Sequence, residues 1–87
     1  MLRKKNKVAN IIMEVVDAVD GKLPVDNITS ARELLEHNEW GEALSLIYTQ
    51  LYEYDVKISH STLAKIEEAG NKMGLDSKGW EVLEIDV

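Results

Sequence analysis

The chain has 87 residues, 45% of them hydrophobic, with one Pro, five Gly and no Cys. These residues are expected to make a single domain, and the composition excludes a low-complexity, a disulfide-stapled or a thiolate-dependent chain over this length. The formal charge of −6 is uneven: Arg3, Lys4, Lys5 and Lys7 open the chain, leaving six bases against sixteen acids, a net of −10, over residues 8–87.

In chain order, the basic start predicts a flexible arm over residues 1–7, followed by a single helical domain over 8–87. The basic-then-apolar order has the look of a secretion signal. Asn10, Glu14 and Asp17 interrupt the apolar run, however, and no small-residue cleavage site follows. No stretch approaches the roughly 20 apolar residues that span a bilayer, so the expected location is the cytoplasm, away from membranes.

Val8, Ile11, Ile12, Val15, Val16 and Val19 fall at helical spacing and predict a first helix ending near Gly21, a residue suited to a left-handed stop. GKLPVD is a connector, because Pro24 disfavours helix at Leu23. A second helix is expected to begin between Asp26 and Ser30, where Ser30 and Glu33 have capping-box spacing, and to stop at Asn38. Its apolar face is Ile28, Ala31, Leu34 and Leu35. The short HNEWGE break makes helices two and three neighbours.

Helix three carries the strongest periodic signal: Trp40, Ala43, Leu44, Ile47, Leu51 and Tyr54 share one stripe, which is assigned to the core with Trp40 as an anchor. Tyr48 lies at the core edge and Tyr52 faces out. Glu39, Glu42, Leu46, Thr49, Gln50 and Glu53 form the opposite, acidic side, with Leu46 as an exposed apolar residue in its middle. Past Asp55 the chain is extended until Ser59, which has N-cap character, with Ile58 and Leu63 at hydrophobic-staple spacing. Helix four runs through Ile66 and Ala69 to Gly74. Asp76 or Ser77 then caps a short turn holding Trp80 and Leu83, with Trp80 either against the bundle or on a partner surface. The tail EIDV is either loose or a short pairing strand. The predicted fold class is all-α, a small bundle of four helices plus a short C-terminal helical turn.

Little in the chain points to chemistry. His37 and His60 lack partners at metal-ligand spacing, so no metal is expected. The carboxylate groups Glu39/Glu42, Glu53/Asp55 and Glu67/Glu68 read as solvated faces or partner contacts, since a catalytic acid needs a pocket that shifts its pKa. GNKMG ends a helix instead of opening one, the wrong polarity for a phosphate loop. No catalytic residue and no cofactor are expected. So acidic a body is a poor match for nucleic acid, whose affinity comes from Lys and Arg releasing counterions, and a good match for a basic protein.

The run LLEHNEWGEALSLIYTQLYEYDVKIS, followed by IEEAGNKMGLD, resembles the MafI-type immunity proteins of bacterial polymorphic toxin systems. The likeness spans residues 28–80 and rests most on LLEH followed by GEAL, the QLYEYD helix end and the KMGL exit. It implies a helical cytoplasmic protein that binds and neutralises the C-terminal toxin domain of a cognate secreted protein, without catalysis. Many such toxin domains are nucleases, so the expected partner is basic and nuclease-like. The expected partner-binding residues are Glu42, Leu46, Thr49, Tyr52, Glu53 and Asp55. A homodimer is an open alternative for surplus apolar surface, and a regulatory or adaptor bundle recruiting another protein is the competing function.

Overall fold

A computed structural model describes residues 6–86. Within them the chain forms α1 (Lys7–Val19), α2 (Val25–Glu36), α3 (Trp40–Glu53), α4 (His60–Lys72) and the single turn α5 (Lys78–Glu81). The fold is all-α: α2 packs most extensively on α3 and α1 on α4, with α5 laid against α3 and α4. Among the described residues no helix is long and apolar enough to cross a membrane.

Arg3, Lys4 and Lys5 of the expected arm lie outside the described residues. Lys7 instead opens α1 and Asn6 caps it: the Asn6 side chain accepts a hydrogen bond from the Ala9 N–H at 3.1 Å, satisfying one of the free donors of the first turn. The α1 stripe Ile11, Ile12, Val15, Val16 and Val19 is buried as its spacing predicts. The helix ends at Val19, before Gly21. Asp20 is extended, Gly21 has φ 94°, and the Lys22 N–H donates to the Val19 carbonyl at 2.9 Å, a type II turn that requires positive φ at its third residue.

α2 begins at Val25, earlier than the Ser30–Glu33 spacing predicts, and no side chain caps it. Pro24 has φ −55° and its carbonyl accepts from Asn27 at 3.0 Å, so the ring's fixed angle sets the helical entry and Ser30 lies exposed within the helix. Ile28 and Ala31 are buried, whereas Leu34 and Leu35 are half-buried against the core. Arg32 ties α2 to α1 through Asp17 at 3.0 Å and Asp20 at 3.3 Å. The Asp17 hydrogen bond, ahead of desolvation in the opposite sense, raises the guanidinium above its ordinary pKa. Exposed pairs of this kind contribute at most about 1 kcal/mol.

Three helices end alike. The left-handed residues Asn38 (φ 62°), Asp55 (φ 55°) and Gly74 (φ 71°) follow α2, α3 and α4. In each case the next N–H reaches back to the helix: Glu39 to Leu34 at 2.8 Å, Val56 to Leu51 at 2.9 Å and Leu75 to Gly70 at 2.9 Å. The left-handed residue adds its own bond, to Leu35, Tyr52 and Asn71, each at 3.1 Å. These bonds satisfy carbonyls that would otherwise be orphaned and reverse the chain sharply.

Ala43, Leu44, Ile47 and Leu51 of the α3 stripe are fully buried. Its two ends depart from expectation. Trp40 is half-buried at the first residue of the helix, packed on the core but not inside it. Tyr54 is 55% exposed: the core stops at Leu51, and the reversal at Asp55 returns Val56 to it, leaving no wall over the Tyr54 ring. Gln50, expected on the outer side, donates to Asn27 of α2 at 3.1 Å in a partly buried site.

The Ser59 hydroxyl caps α4, accepting from the Thr62 N–H at 3.0 Å and donating to Thr62 Oγ1 at 3.1 Å. α5 is too short to hold itself. Trp80, 3% exposed, seats its indole on Gly70 so closely that a Cβ there would overlap the ring, and Gly79 meets the Tyr48 ring in the same way. The two rings meet edge to face at 5.8 Å. The tail pairs rather than hangs loose: the Ile58 N–H donates to Glu84 at 3.0 Å and the Asp86 N–H to the Ile58 carbonyl at 2.8 Å.

Candidate partner-binding surface

Five of the six residues singled out from sequence divide between two depressions. Glu42, Leu46 and Thr49 stand one turn apart on α3 and line an open groove of about 640 Å³ with Leu34 of α2, Gly41, Ser45 and Leu75 of the α4–α5 link. Its floor is mainly apolar, and Glu42 is the one ionisable group in its lining. Leu46 is therefore not an isolated exposed leucine: it is half-buried, packed on the core, and forms the groove wall with Leu34 and Leu75.

Tyr52 and Asp55 line a second, narrower niche of about 50 Å³ with Leu51, Val56, Val82, Leu83 and Glu84. The left-handed turn at Asp55 makes it, because the turn brings Val56 back beside Leu51, and the Ile58–Ile85 pairing lays the C-terminal segment across the opening. Tyr52 (57% exposed) and Val82 (51%) flank the niche in solvent. Glu53 is exposed on the last turn of α3 and lines neither depression.

No match to this chain is found among protein-family models, curated proteins or solved structures. The surface is therefore interpreted from its own chemistry. The last turn of α3 has no basic residue and ends in Glu53, with Asp55 just beyond, at the pole of the helix that already carries partial negative charge. Among the described residues, ion pairs engage Asp17, Asp20 and Glu14 and none of Glu42, Glu53, Asp55 or Glu84. Among these residues, too, no group of three or more His, Asp or Glu is placed to hold a metal ion.

Sequence reasoning missed the niche's second wall, Val82, Leu83 and Glu84, and the groove's Leu34 and Leu75. Leu34 and Leu83 carried an apolar signal; nothing in the spacing says that the tail crosses the end of α3, since that contact joins residues more than 25 positions apart.

Proposed function

We propose that this protein is an immunity-type inhibitor, similar to the MafI-type proteins, that binds the C-terminal domain of a cognate bacterial toxin and neutralises it by stoichiometric association. The partner is a basic, nuclease-like domain. One observation carries the reading: Glu42, Glu53 and Asp55, none of them in an ion pair among the described residues, stand with Leu46 and Tyr52 along α3 and just past its C-terminal end, where a mainly apolar groove and a smaller niche open, on a body with a net charge of −10 over residues 8–87. Apolar anchors ringed by charge are what a protein interface concentrates its affinity in. A negative body speeds encounter with a basic partner and opposes encounter with like-charged ones. Inhibition then follows from covering a positive substrate-binding face, which needs no bond-making by the inhibitor.

The test is co-expression with the product of the neighbouring toxin gene. The expected result is growth rescue and recovery of a one-to-one complex whose affinity falls steeply with added salt. An adaptor would give neither rescue nor a toxin complex, and either absence overturns the reading.

A further inference from the structure

The niche at the end of α3 is specific enough in shape and chemistry to name what enters it. We infer that it receives a single arginine side chain from the partner, an inference that rests on the proposal of a basic protein partner. Its volume of about 50 Å³ holds roughly three or four water-sized groups, enough for the four heavy atoms of a guanidinium and too little for a helix or a base. Its walls suit that group on both counts. The half-exposed Val82 and the partly buried Val56 offer apolar surface to the methylene stem, and Tyr52, 57% exposed in the lining, is the kind of ring on which a planar, weakly hydrated cation stacks. The Asp55 and Glu84 carboxylates enter the lining from two segments distant in sequence, and neither is ion-paired among the described residues. Charge complementarity therefore selects a cation, and the aromatic wall selects arginine over lysine. Within residues 8–87 a second copy of this chain offers only Arg32, which Asp17 and Asp20 already hold.

N-acetyl-arginine amide, titrated into the intact protein and followed by amide chemical shifts, tests the niche without the partner. The expected result is saturable shifts confined to residues 52–56 and 82–84, at least about three-fold weaker binding in Tyr52→Ala, about two-fold weaker in Glu84→Gln, and weaker binding of N-acetyl-lysine amide. Unchanged far-ultraviolet spectra and melting temperatures show that both variants fold. Shifts spread evenly over the acidic surface, shifts centred on Leu46, or equal binding of the lysine probe would overturn the inference. The two readings separate cleanly. If the arginine probe binds here and toxin rescue fails, the immunity proposal falls and the niche stands. If rescue succeeds and the toxin complex keeps full affinity in Tyr52→Ala and Glu84→Gln, the niche falls and the immunity proposal stands.

Discussion

At the end of α4 the left-handed residue is Gly74, with Lys72 in the last helical turn; at the end of α3 it is Asp55, with Glu53 in the last turn and no base. The two bonds that close each end, from the left-handed residue at 3.1 Å and from the residue after it at 2.9 Å, are the same at both. Glycine takes positive φ without a Cβ penalty and lysine complements the negative helix pole, so the α4 end follows the rules of stability. The α3 end breaks both rules, and places an exposed tyrosine and a small niche beside the break. The difference teaches that the same closing bonds can be carried by residues that favour the fold or by residues that keep a negative corner at some cost in stability.

The strongest way to break the comparison is from beneath. Leu51 is fully buried and its carbonyl accepts the Val56 bond that shapes the α3 end. Leu51→Ala is expected to cost about 2–5 kcal/mol in denaturant unfolding and to collapse the niche. Unchanged stability would mean that the α3 stripe does not carry the core. At the α4 end, Gly70→Ala forces a methyl into the Trp80 ring, and a loss of about 1–3 kcal/mol with a changed tryptophan emission is expected. A silent substitution there would show that α5 is not seated through Trp80.

The finest test exchanges the two left-handed residues. Gly74→Asp is expected to lower stability by about 1 kcal/mol, and Asp55→Gly to raise it by about 0.5 kcal/mol while weakening the proposed toxin complex at low salt. Equal and opposite effects confined to folding, with partner affinity unmoved, would reduce the α3 end to an ordinary helix stop.

Much of the bundle was legible because helical periodicity is a local property. The α1 stripe, the α3 stripe from Ala43 to Leu51, the Asn38 stop and the Ser59 cap all follow from residues within a turn or two of one another. Tyr54 shows where that reasoning ends: its phase is right for the core, yet the core has no neighbour to offer at that height. The Ser30–Glu33 spacing failed for a different reason, since Pro24 fixes the entry angle before any side-chain cap is needed. Of the candidate site, the α3 contributions were readable as outward-facing residues, but their division into a groove and a niche was not.

The sequence by itself determined the helices, most of their ends and the negative charge of the body, because backbone preference, side-chain period and formal charge are written residue by residue. The tertiary structure alone decided that Trp80 is buried on a glycine, that Leu46 lines a groove, and that the tail closes a niche against Tyr52. Those outcomes depend on which surfaces meet across the bundle, and surfaces meet through packing among residues far apart in the chain, where neither period nor propensity reaches.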